Sequence, residues 1–151
     1  MSILDIRPAL IALLSGDADV AVVVDWATTR ANGGQRIFPG KLPQGTVRPS
    51  VVYNRVSGQG DHHMEGPSGL TSTRFQVDSW AQTLDAAASL ANLVKAVLDG
   101  FSGTVAYGSN SPQDSIYIGG VFYDTEREDY DDVPKLNRMS RDYVIWFNER
   151  P

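Results

Sequence analysis

The apolar residues of this chain change their spacing once, sharply, and that change restricts the fold more than any other feature. Over residues 70–80 they alternate, with Phe75 and Val77 on one side and Arg74, Gln76 and Asp78 on the other. This is the two-residue period of a half-buried strand. From Leu84 onward the set Leu84, Ala87, Ala88, Ala91, Val94 and Leu98 recurs at helical spacing. Thr83 is placed to cap the first turn, Asp85 suits its free amides, and Gly100 can stop the helix with a positive φ. The many alanines would let this helix approach a sheet closely.

Other segments supply the rest of such a sheet. Residues 136–147 alternate, with Met139, Tyr143, Ile145 and Phe147 on one face and Val144 and Trp146 on the other. Large apolar groups on both faces near the C-terminus predict burial on the second side as well. Residues 50–57 read as a strand with Val52 and Val56 on one face and Val51, Tyr53 and Arg55 on the other. Residues 116–123, rich in β-branched and aromatic side chains, make a fourth; residues 102–115 read as strand edge and loop. At the start, Leu4, Ala9, Leu10, Leu13 and Leu14 share a helical face. Ser2 and Asp5 form a possible cap, and Pro8 places the helix start near Arg7. A short second helix is expected over residues 18–24.

Two loops are expected to project. Residues 28–50 carry successive turn signals: Asn32-Gly33-Gly34, Phe38-Pro39-Gly40, Leu42-Pro43 and Arg48-Pro49. A loop of this length is usually functional, so residues 28–48 are a candidate contact surface. Residues 58–69 are long for a hairpin turn and form a second one. The expected fold is α+β: one domain over residues 1–151, an antiparallel sheet of about four to five strands, and two main helices packed on it.

Composition narrows the function. The chain has no cysteine, which excludes disulfides, thiolate metal sites and cysteine nucleophiles. Its longest apolar run, residues 9–14, is far below the ~20 residues that span a bilayer, and Asp5, Arg7 and Pro8 break up any signal-peptide pattern. A soluble, cytoplasmically made protein is expected. Net charge is −5 and no basic cluster stands out, so tight nucleic-acid binding is not expected.

The search for chemistry returns little. Asp61, His62, His63, Met64 and Glu65 could hold a divalent metal, but adjacent side chains usually point apart and the H-E-x-x-H spacing is absent. An interface loop is the preferred reading of Asp61, His62, His63 and Glu65. The acids Asp124, Glu126, Glu128, Asp129, Asp131 and Asp132 do not fit an EF-hand and read as a solvated loop. Gly66-Pro67-Ser68-Gly69 is not a nucleophile elbow, and no phosphate-binding loop occurs. No catalytic residue, cofactor or metal is expected.

Several segments, in order, resemble the tail-terminator or tail-completion family of siphophages, prophages and gene transfer agents. They are Arg36-Ile37-Phe38-Pro39 with Leu42-Pro43-Gln44-Gly45; Pro49-Ser50-Val51-Val52-Tyr53 with Val56-Ser57-Gly58; and Gly66-Pro67-Ser68-Gly69-Leu70 with Phe75-Gln76-Val77-Asp78-Ser79-Trp80. Leu98-Asp99-Gly100-Phe101 and residues 124–130 complete the series. Residues 25–35 depart from it, being longer than usual. The resemblance covers about residues 3–147 and implies a structural virion protein: a ring, hexameric, at the head-proximal end of the tail. The ring would cap the tail tube, stop its polymerisation, join the tail to the head connector, and pass DNA through its lumen without specific binding. Candidate contact residues are then Arg36, Phe38, Leu42, Gln44, Asp61, His62, His63 and Glu65, with the acids of residues 124–132 at a lumen or rim. A head-completion or neck adaptor protein is the alternative from the same particle. A metal-dependent enzyme using His62, His63 and Glu65 is the alternative of another class.

Overall fold

The computed structural model describes residues 5–46, 49–64, 66–108, 113–132 and 135–148. It opens with α1 (Arg7–Gly16) and α2 (Ala18–Val23), followed by a 3₁₀ turn at Arg30–Asn32 and the three-residue strand β1 (Ile37–Pro39). Then come β2 (Ser50–His63), β3 (Gly66–Ala81), α3 (Leu84–Leu98), β4 (Gly103–Tyr107), β5 (Asp114–Asp131) and β6 (Leu136–Asn148). One six-stranded sheet runs in the order β1-β2-β3-β6-β5-β4. All neighbours are antiparallel except β1 and β2, which are parallel. The α+β class is as expected; the sheet is larger than expected and mixed.

The helices form where the sequence places them. Helix α1 starts at Arg7, with Asp5 accepting from the Arg7 amide at 3.0 Å; Ser2 lies outside the described residues. Asp17 caps α2 by accepting from the Val20 amide at 3.1 Å. In α3 the Thr83 hydroxyl accepts from the Ala86 amide at 3.1 Å, and Gly100 has φ +81° beyond the last turn. Its alanine face works as expected: Ala87 and Ala91 lie against Ala81 and Met139, while Leu90, Val94 and Leu98 enter the main core.

All three helices lie on one face of the sheet. Phe75 and Val77 of β3, Tyr143, Ile145 and Phe147 of β6, and Ile116, Ile118 and Val121 of β5 point toward them and are buried. Four expectations change. Residues 28–50 are not one loop, because β1 and the 3₁₀ turn are built within them. Residues 58–69 are not a long loop, because β2 and β3 stay paired up to His63 and Gly66. A bulge between Arg55 and Ser57 shifts the strand phase, so Val56 does not share the buried position of Val52 and is 54% exposed. Residues 124–131 are strand, not loop: β5 continues through them, paired with β6 from Asp142 to Leu136.

Candidate functional site

The opening segment of the expected first loop is a built edge. Arg36 is buried, and its guanidinium donates to the carbonyls of Pro49 (2.8 Å), Gly33 (2.7 Å) and Val23 (2.8 Å). It therefore ties α2, the 3₁₀ turn and the start of β2 together beneath β1. Gly34 has no freedom to vary: a Cβ there would lie 2.1 Å from the Thr28 carbonyl oxygen. Phe38 is nearly buried on the sheet face opposite the helices, with the Arg30 guanidinium 5.1 Å from its ring centre. Leu42 is half-buried and Gln44 exposed. Arg30, Gly33, Phe38, Pro43, Gln44 and Thr46 line a concave surface along this edge.

In the β2–β3 hairpin, His62 pairs with Pro67 and His63 with Gly66, leaving a tight turn whose Met64 is fully exposed. The side chains of Asp61, His62 and His63, and Glu65 as a whole, lie outside the described residues. No group of three or more potential metal ligands occurs among the described residues. The pairing of β3 with β6 reaches Leu70 at Asn148, so among the described residues the hairpin tip extends past the end of β6.

The acidic segment differs most from its sequence reading. Its side chains meet cations from other strands: Asp124 meets Arg74, Glu126 meets Arg141 at 2.9 Å, and Asp129 meets Arg138. The Asp124 carboxylate beside Arg74 holds that guanidinium above its usual pKa. On the face away from the helices the ladder continues inward. Asp142 lies 3.3 Å from Arg74, the buried Asp78 accepts from Gln76 at 3.0 Å, and Arg138 lies 3.7 Å from Asp78 and over the Trp80 ring. Among the described residues Glu128 and Asp132 have no ion pair.

That open face has a second zone. Phe122 pairs with Val144, and Trp146 with Gly120. A Cβ on Gly120 would come 3.0 Å from the Phe122 ring, so the glycine makes room for it. Phe122, Trp146 and Tyr117 are all substantially exposed. One half of the open face is ionic, the other aromatic. The long hairpins also turn at opposite ends of the sheet: β2–β3 near residue 64, and β5–β6 between Asp131 and Leu136.

Charge segregation between the two edges is the feature that sequence reading missed. Residues 26–49 carry Arg30, Arg36, Lys41 and Arg48 and no acid, whereas residues 124–132 carry six acids against Arg127. A count of acid-free windows would have revealed the basic segment; the overall negative charge hid it. The strand register sets both segments on the same rungs of the sheet. Ile37 pairs with Val51, Val51 with Ser79, Ser79 with Met139, and Met139 with Glu128. Two residues further, Pro39 leads through Tyr53, Val77 and Arg141 to Glu126. The basic and acidic segments therefore lie at opposite edges of the sheet at the same level, four strand spacings or about 19 Å apart.

Comparison with known proteins follows the same lines. The family model described as "Tail completion protein gp17" matches residues 8–147, nearly the whole chain, and the chain belongs to that family. No curated protein matches the sequence significantly. Among solved structures, a chain in the virion of a native gene transfer agent (GTA) particle has a similar fold. The TM-score is 0.65 at 12% identity, over 91% of this chain and 90% of that one.

Proposed function

We propose that this chain, a tail completion protein and thus a component of the virion tail, acts as a ring that caps the finished tail tube, stops its polymerisation, and joins the tail to the head connector. The family match over residues 8–147 is the observation that carries this reading. The ring is a hexamer, as the resemblance implies, and it is closed by a head-to-tail contact between identical subunits. Capping then follows from complementary surfaces repeated around the ring, where several weak equivalent contacts act as one strong one.

The geometry supports a two-sided adaptor. Hairpins turning at opposite ends of one rigid sheet give each subunit two different ends, one for the tube and one for the connector. The role needs no chemistry, and we take the protein to be non-enzymatic. DNA passes through the lumen unheld, because a chain of net charge −5 repels phosphate more than it attracts it.

Deletion of the gene tests this. The expected result is tails of uncontrolled length that fail to join heads. Tails of normal length that merely lack heads would reject length control and favour a neck adaptor instead.

A further inference from the structure

We infer that the ring contact pairs unlike edges. The acidic outer edge of β5 in one copy, centred on Glu128 and Asp132, docks against the basic β1 edge of the next, centred on Arg30 and Lys41. This rests on the ring reading above and specifies the surface that closes it.

Three observations converge on a second copy of this chain as the occupant. The first is charge. The β1 edge belongs to a 24-residue stretch, residues 26–49, that has four cations and no acid, and the β5 edge has six acids against one cation. Internal contacts use up part of each set: Arg36 is bonded to backbone carbonyls, and Asp124, Glu126 and Asp129 meet arginines of β3 and β6. Exposed Arg30 and Lys41 remain on one edge, and Glu128 and Asp132 on the other. The second is position. Both edges stand on the same rungs and face opposite ways, so one translation-like step brings them together. Two copies of the same edge would instead oppose like charges, which disfavours that pairing. A head-to-tail contact is favoured and a two-fold dimer is not.

The third is shape and edge chemistry. The β1 edge is concave, lined by Phe38, Pro43, Gln44 and Thr46 as well as Arg30. Beyond β4, whose pairing stops at Ile118, residues 99–101 bond the β5 edge as far as Tyr123, and past Thr125 no further strand flanks it among the described residues. From it Tyr130 stands 56% exposed, an amphipathic ring of the kind that anchors interfaces. Strand addition is blocked on the basic side, where the Arg30 guanidinium already occupies the Ile37 carbonyl at 3.1 Å. The contact is therefore made by side chains, and it weakens with salt.

The test uses the full chain. Assembly of the parent, of Arg30→Glu/Lys41→Glu, of Glu128→Lys/Asp132→Lys, and of the fourfold variant is followed by light scattering at low salt. Either single-edge reversal should raise the concentration for half-assembly about tenfold or more. The fourfold variant, with complementarity restored in reverse, should recover. Equal assembly of all four proteins overturns the edge pairing while leaving the ring intact. A second measurement covers a ring that forms only on tails. The chain has no cysteine, so Lys41→Cys/Asp132→Cys can be cross-linked on isolated tails with a short thiol reagent. A ladder in steps of 16.5 kDa is expected. Oligomers that carry the variant yet give no ladder overturn the pairing, and a lone monomer on tails overturns the ring reading itself.

Discussion

The two faces of the sheet are made from alternate residues of the same strands, yet they solve different problems. On the helix-covered face Phe75, Ile145 and Tyr143 are fully buried, and the contacts are completed within one chain. On the open face, the neighbouring residues Arg74, Trp146 and Asp142 belong to an ionic ladder beside an aromatic zone, with no helix over it among the described residues. Stability should therefore be concentrated on one face and assembly on the other.

The sharpest way to break that comparison uses adjacent residues of β6. Ile145→Ala should cost about 2–5 kcal/mol, as buried aliphatic truncations do. Trp146→Ala, one residue along and facing the other way, should cost under about 1.5 kcal/mol and chiefly impair attachment to tails. Denaturant unfolding of both variants checks this; equal losses would mean that the open face is part of the core.

A smaller effect separates two arginines. Arg141 is buried on the covered face, bonded to Glu126 at 2.9 Å and to the Ala91 carbonyl at 3.0 Å. Arg141→Ala should cost about 2–3 kcal/mol, because the buried Ala91 carbonyl loses a charged donor. Arg74→Ala, which breaks partly exposed pairs with Asp124 and Asp142, should cost under about 1 kcal/mol. Thermal unfolding ranks them.

The smallest effect concerns pH. Burial pushes the Tyr143 hydroxyl up to about 12, only partly offset by the Arg141 guanidinium. An acid whose folded pKa is raised stabilises fully below its unfolded pKa near 10 and loses that contribution as pH climbs toward 12. Stability should fall across that window beyond what the exposed tyrosines explain, and Tyr143→Phe should remove the excess. Among the described residues the hydroxyl has no hydrogen-bond partner, so the same variant should be near neutral at pH 7. An unchanged alkaline profile in Tyr143→Phe would contradict this.

Elements with a long local period were legible in the sequence. Helix α3 with its Thr83 cap and Gly100 stop, the end of β3 and the alternation of β6 all formed as expected, because their signals lie within a few residues. Strand β1 was not legible: it is three residues long and exists because Arg36 anchors it and β2 accepts it in parallel. Nor was the strand nature of residues 124–131. Six acids in nine residues read as solvated loop until arginines from two other strands, Arg74, Arg138 and Arg141, are brought beside them. The expected contact residue Arg36 turned out to be an internal tie, since a motif shows which residue stands there but not what it meets.

By itself the sequence determined the α+β class, the alternation of β3 and β6, and the presence of an acid-free basic stretch and an acid-rich one. Only the tertiary structure decided that these stretches lie on opposite edges at the same level of one sheet. Strand order and register depend on hydrogen bonds and side-chain pairs between residues far apart in the chain, and no local pattern encodes them.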